Sequence, residues 1–253
     1  MSPGQIGALM LAAAAAGAIN SVAGGGSLIS WPAAVATGLS QVVASATNTL
    51  ALAPASLAAA WAYRRELGEN RRTALFLCVP AAVGALAGAM LLFAAPAVVF
   101  ESLVPWLVGL AALSIVGKDF LWKKARGIAK KSRGRTLAVG AALALIAVYG
   151  GYFGAGIGIV TIAVLGSLGD HDIHQLNAMK SVIVGVMNST AAIYFVALGR
   201  ADLAAAAAMA VGSIAGGFAG ASLARRVDAA KVRWVVFAIG LGLGAILAYR
   251  RFW

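Results

Sequence analysis

Apolar positions gather into long runs that carry almost no charge, at residues 4–39, 73–93, 105–117, 136–168 and 181–199. Most exceed the roughly 20 residues that a helix needs to cross a hydrocarbon layer of about 30 Å, so they predict membrane segments. The runs are rich in Ala and Gly rather than Leu. Spacings such as Gly84/Gly88 and Gly212/Gly216/Gly220 predict helices packed at close range, where small side chains let backbones approach. The first run has no basic stretch ahead of it and outlasts a signal-peptide core, so it is read as the first membrane element.

Charges and turn residues divide the chain into an N-terminal repeat at 1–117, a basic cytoplasmic loop at 118–135 and a C-terminal repeat at 136–253. Each half opens with a long apolar segment interrupted by glycines and continues with three more apolar runs. Ala23-Gly24-Gly25-Gly26 in the first half resembles Phe153-Gly154-Ala155-Gly156 in the second, and Asn48 falls near the counterpart of Ser181. The expected fold is an all-α polytopic membrane protein of two repeats, each a glycine-broken helix plus three transmembrane helices. If both broken openers dip in and return, the loops at 63–72, 118–135 and 225–233 share one side and hold 16 of the 20 Lys and Arg. If both cross, the balance is 15 against 4. The positive-inside rule therefore favours re-entrant openers. Three full spans per half, an odd number, would invert one repeat relative to the other and put the termini outside.

Composition sharpens this picture. The chain is 62% hydrophobic and 11% charged, with a mean hydropathy of +0.91, more than a soluble fold can hide. A net charge of +12 would suit nucleic acid, but the basic residues lie between apolar runs as positive-inside loops do, so no nucleic-acid partner is expected. The single cysteine, Cys78, sits inside an apolar run, so no intrachain disulfide or paired-cysteine metal site can form.

The most informative stretch runs from Asn20 and Ser21 through Gly24, Gly25, Gly26 and Ser27 to Pro32, a polar, glycine-rich break in apolar sequence. A helix broken in hydrocarbon exposes backbone N–H groups, which is tolerated where they line a cavity or are buried in protein. If the break leads into a second half-helix, its N-terminal amides and dipole make an anion site, with Asn20, Ser21 and Ser27 as further donors. The bland alternative is a close-packed kink. The counterpart around Tyr152, Gly154 and Gly156 keeps the glycines but replaces most amides and hydroxyls with aromatics; it lacks the Lys-Ser/Thr ending of a phosphate loop. A polar patch follows each break: Thr47 and Asn48 within residues 45–49, and Lys180 and Ser181 within 177–181, with Asn188 beyond. Paired breaks at corresponding places in two halves point to a transporter site. Lys180 reads either as an intramembrane counter-charge or as a residue snorkelling near a helix end.

His171 and His174, with Asp170 and Asp172, form an alternating polar loop that reads as solvent-facing, because zinc needs a ligand set absent here. Ser27 has no histidine partner within a span, and only Glu101 and Asp202 lie near the ends of apolar runs. An embedded enzyme is therefore not expected.

The residues Asn20 to Ser27, Pro32, Gly38-Leu39, Ala44 and Thr47-Asn48, with Gly154-Ala155-Gly156 and Asn177-Ala178-Met179-Lys180, resemble the sulfite exporter TauE/SafE family, also called the 4-toluene sulfonate uptake permease family. The resemblance covers nearly the whole chain; Ile157 and Ile162 stand where the family often has glycine and proline. It implies a transporter of sulfur-containing or organic anions, such as sulfite, sulfonates or sulfoacetate, in a bacterial inner membrane and driven by an ion gradient. The residues agree on the sign of the substrate, since dipole ends, hydroxyls, amides and one lysine suit an oxyanion. The expected partners are this small anion and the lipid bilayer, with a homodimer left open, and no cofactor is expected. The alternative function is a passive channel for small anions or neutral solutes.

Overall fold

The computed structural model describes residues 1–22, 24–126, 133–169, 172–223 and 229–252. Among them are eleven α-helices and no strand: α1 (Pro3–Val22), α2 (Ser27–Ala36), α3 (Gln41–Ala62), α4 (Arg64–Leu67), α5 (Arg71–Ala94), α6 (Ala97–Arg126), α7 (Arg133–Tyr152), α8 (Ile157–Leu165), α9 (Ile173–Ala197), α10 (Leu203–Leu223) and α11 (Ala229–Phe252). Seven of the described helices, α1, α3, α5, α6, α7, α9 and α10, contain stretches long and apolar enough to cross a membrane. The outer surface is apolar, with Leu11, Trp61, Val83, Leu110, Leu145 and Ile193 exposed. Exposed aliphatic and aromatic side chains on every long helix are what hydrocarbon solvates, whereas a protein in water would bury them.

Both glycine clusters break their helices as expected. Gly24 and Gly25 have φ of +83° and +87° between α1 and α2, and Gly154 and Gly156 have φ of +79° and +73° between α7 and α8. This left-handed region is open to glycine and strained for residues with a Cβ. Three other helix starts are capped by side chains. Ser40 Oγ accepts from the Val43 amide to start α3, Asp172 and Gln175 form a capping box on α9, and Asp202 Oδ1 accepts from the Ala205 amide at the start of α10.

Small residues set the packing. Gly212, Gly216 and Gly220 of α10 lie against the backbone of Met10, Ala14 and Ala18 of α1, so closely that a Cβ would collide. Gly84 and Gly88 of α5 lie in the same way against Ala144 and Val148 of α7. In both pairs the numbers rise together, so the helices run in the same direction. By contrast α3 and α9 run oppositely, since Leu57 meets Gly185 while Ser56 meets Asn188. In α6 and α11, Gly240 meets Ala112 and Gly244 meets Pro105 and Val108, again antiparallel. The packing partners form a self-consistent set: α1 on α10 and α7 on α5, α3 on α10 and α9 on α5, with α3 on α9 and α6 on α11. Exchanging α1 with α7, α3 with α9, α5 with α10 and α6 with α11 reproduces these pairs.

Within the basic segment 118–135, α6 continues to Arg126 and α7 begins at Arg133. Lys and Arg are good helix formers, so a change from apolar to basic sequence marks where a helix leaves the lipid, not where it ends.

Candidate functional site: a donor-lined cavity at the two breaks

The sequence of each break dictates a local device that holds it open. Behind the first, Asn20 Oδ1 accepts from the Gly26 amide at 2.8 Å, and the Gly24 amide turns back onto the Ile19 carbonyl at 2.8 Å. Behind the second, the Tyr149 hydroxyl donates to the Ala155 carbonyl at 2.7 Å. An amide side chain fastens one break and a phenol the other, which is why the second motif is aromatic where the first is polar.

A cavity of about 50 Å³ lies where the breaks meet the inner faces of α3 and α9, several times the roughly 10–15 Å³ that one water centre occupies. Of the residues expected at the site, Asn20, Ser21, Gly24, Gly25, Ser27, Asn48, Gly154, Gly156, Lys180, Ser181 and Asn188 line it together. Gly26, Thr47 and Tyr152 do not. Gly26 spends its amide on Asn20 and packs its Cα on Ala16 of α1. Thr47 points away, its hydroxyl accepting from the Asp202 amide at 3.0 Å. Tyr152 stacks at a tilt on Phe100, with ring centroids 5.4 Å apart. Asp172 is exposed as the cap of α9, His174 is exposed beside it, and Asp170 and His171 lie outside the described residues.

The lining is rich in donors. Gly25, Ser27, Gly156, Ile157 and Gly158 all line the cavity, and their backbone N–H groups find no acceptor among the described residues. These are the orphan amides that a helix start leaves, here at α2 and α8. Asn48 Oδ1 accepts from the Ser30 hydroxyl, which turns the amide nitrogen away from that contact. Ser181 is 3% exposed, and its hydroxyl has no partner among the described residues. Lys180, 7% exposed, reaches inward and donates to the Asn20 carbonyl at 3.3 Å. It does not snorkel to the surface. Two lining hydroxyls are already committed: Ser21 donates to the Gly217 carbonyl at 2.9 Å and serves to pin α1 on α10, and Ser56 donates to the Leu52 carbonyl at 3.0 Å. Asn188 donates to Ser56 at 3.3 Å across the antiparallel α3 and α9 pair. The described lining contains no Asp or Glu.

Several lining residues escaped sequence reasoning. Thr49, Leu52 and Ser56 follow Asn48 along one face of α3, and Val184 sits between Ser181 and Asn188 on α9. A helical period carried forward from each polar patch finds them. The matching spacing, 48, 49, 52, 56 and 180, 181, 184, 188, pairs Asn48 with Lys180, one position from the pairing with Ser181. Phe153 also lines the cavity, edge-on to Trp31 with centroids 5.4 Å apart. Its position beside Gly154 was visible, but nothing in the sequence says that it faces inward.

An apolar shell around a buried polar chamber is the build of a multi-pass membrane protein with an internal solute site. The chain belongs to the sulfite exporter TauE/SafE family, whose sequence profile matches residues 9–247, and this places it among membrane transporters. It is 26% identical over 238 residues to a probable membrane transporter protein of Haemophilus influenzae, covering 93% of this chain and 91% of that one. It is 27% identical over 254 residues to the probable membrane transporter protein YfcA of Escherichia coli K12, covering 98% and 91%. A probable membrane transporter protein, ORF9, of a Sinorhizobium species is 34% identical over 105 residues, 42% of this chain and 40% of its own. No solved structure gives a significant match. The chain is thus a multi-pass bacterial membrane protein.

Proposed function

We propose that the chain is a secondary transporter that carries a small sulfur-containing or organic anion, of the sulfite, sulfonate or sulfoacetate type, across the bacterial inner membrane. One observation carries this reading: a cavity whose described lining offers amides, hydroxyls and one lysine, and no carboxylate. Donors aimed into a water-poor space stabilise negative charge and repel a cation. The partial positive ends of α2 and α8 add to that field. Ser181, buried and without a described acceptor, is a group that a bound oxyanion would satisfy.

The two repeats, 1–117 and 136–253, are read as inverted. In support, the like helices α3 and α9 run in opposite directions, and α1 runs in the same direction as α10, which lies parallel to α3 by the steps Thr47 to Asp202 and Ala51 to Ser213. A chain that runs the same way in α1 and α3 must return through α2, as a re-entrant hairpin does. Transport then follows from rocking one repeat against the other around the site.

Thermal shifts of the purified protein with sulfite, methanesulfonate, sulfoacetate and acetate, against a chloride control, test binding. Counterflow in proteoliposomes tests transport: saturation and trans-stimulation are expected. Linear, unstimulated flux would identify a channel instead, and stabilisation by none of the four anions would remove the reading.

A further inference from the structure

Lys180 is the single ionisable side chain in the described lining of the cavity. It is 7% exposed, and its Nζ donates to the Asn20 carbonyl at 3.3 Å, a bond that both an ammonium and a neutral amine can make. We propose that Lys180 carries the coupling proton, so that each monovalent anion crosses together with one proton. The inference rests on the anion-transporter reading and names its driving ion.

The chemistry balances simply. When the anion enters, the Lys180 amine takes a proton from a hydronium ion on that side, so that one O–H bond breaks, an N–H bond forms and water is left behind, and ammonium and anion share the cavity as a neutral pair. On the other side the anion leaves, that N–H bond breaks, and the proton departs with it. Carrying the two together avoids moving a net charge through a low-dielectric wall, which is unfavourable by several kcal/mol per ion. The described lining holds no carboxylate that would neutralise a sodium ion.

The other charged groups on the elements around α9 lie at loop ends. On α4 and the turn after it these are Arg64, Arg65, Glu66 and Glu69. Arg71 and Arg72 open α5, Arg135 lies in the first turn of α7, and Asp172 and His174 open α9. None of them lines the cavity. Cys78 of α5 is buried in the apolar core, and on α7 Tyr152 packs on Phe100 and the Tyr149 hydroxyl is bonded to the Ala155 carbonyl. α3, α8 and α1 contribute no charged side chain. A pH dependence of anion binding in the cavity is therefore assigned to Lys180.

The test uses the full chain in proteoliposomes and radiolabelled methanesulfonate, which stays a monoanion near neutral pH. With the membrane potential clamped at zero, an inward proton gradient of about one pH unit should drive roughly tenfold accumulation, and an entrapped pH dye should register one proton per anion. A potassium diffusion potential alone should drive none. Lys180→Arg keeps a cation that cannot shed its proton; its binding should be weaker but flat with pH, and its proton-driven accumulation lost. Accumulation in Lys180→Arg that matches the wild type, or wild-type uptake driven by potential and indifferent to the proton gradient, would overturn the inference. A wild-type proton count of zero would overturn the inference even if the variant does not fold. Absence of saturable methanesulfonate counterflow in the wild type would instead sink the transporter reading itself, and the inference with it.

Discussion

Asn20 performs two tasks at once, and they can be separated. Its Oδ1 holds the Gly26 amide, while its Nδ2, with no acceptor among the described residues, is available at the cavity wall. Asn20→Asp preserves an oxygen for Gly26 and replaces the donor with a negative charge, so the protein should insert and melt near the wild type. Anion affinity should fall on the order of a hundredfold or more, since a like charge at close range in a poorly solvated site costs several kcal/mol. Unchanged affinity in a thermal-shift titration would mean that this nitrogen does not face the substrate. Ser181→Ala is gentler. Losing one hydrogen bond to a charged group removes about 1.5–3 kcal/mol, which weakens binding about ten- to a hundredfold and leaves the fold slightly relieved of an unsatisfied hydroxyl. At this scale the sequence was informative where polarity itself was unusual: Asn20, Asn48, Lys180 and Ser181 stand out against apolar neighbours. Thr47 shows the limit. One helical step from Asn48, it turns away to meet the Asp202 amide, and rotation of that size is fixed by packing rather than by composition.

At the level of elements, glycine spacing carried most of the legible information, because it fixes which faces can approach. The α1 and α10 contact is the closest case, with Gly216 pressed on the Ala14 carbonyl. Gly216→Val should push these helices apart at a loss of about 1–3 kcal/mol, read as a lower melting temperature in detergent and reduced monodisperse yield. Gly7→Ala on the same α1 meets nothing within 4 Å and should be neutral or mildly stabilising. Equal melting of the two variants would show that the close approach is not what holds α1 to α10. The breaks obey a different constraint, backbone sign. Gly24→Ala would place a Cβ at φ +83° and against the Ile159 side chain, a strain of about 1–2 kcal/mol that acts directly on the cavity wall. What the sequence left open was where elements stop. Helix α6 runs on through basic residues to Arg126, since lipid depth and helix length are set by different forces.

For the whole molecule, hydropathy alone led to the membrane, and the paired glycine breaks led to the cavity that both of them line. The path of each opener was harder to read, because α1 is apolar and long enough to span yet ends at the cavity. Charge distinguishes the two expected paths. With re-entrant openers, 16 of the 20 basic residues face the cytoplasm, as the positive-inside rule prefers. The two arrangements differ in a measurable way. On a Cys78→Ala background, single cysteines at Ser2, Gly68 and Gly199 can be labelled in intact cells with an impermeant maleimide. Gly68, in the turn between α4 and α5, is cytoplasmic in both arrangements and should stay protected. Re-entrant openers put Ser2 and Gly199 outside, where both should label. Openers that cross fully would put all three inside, and protection at Ser2 and Gly199 would therefore end the inverted-repeat reading. That outcome would also displace the rocking mechanism, since two halves with the same orientation cannot exchange inward-facing and outward-facing shapes by symmetry.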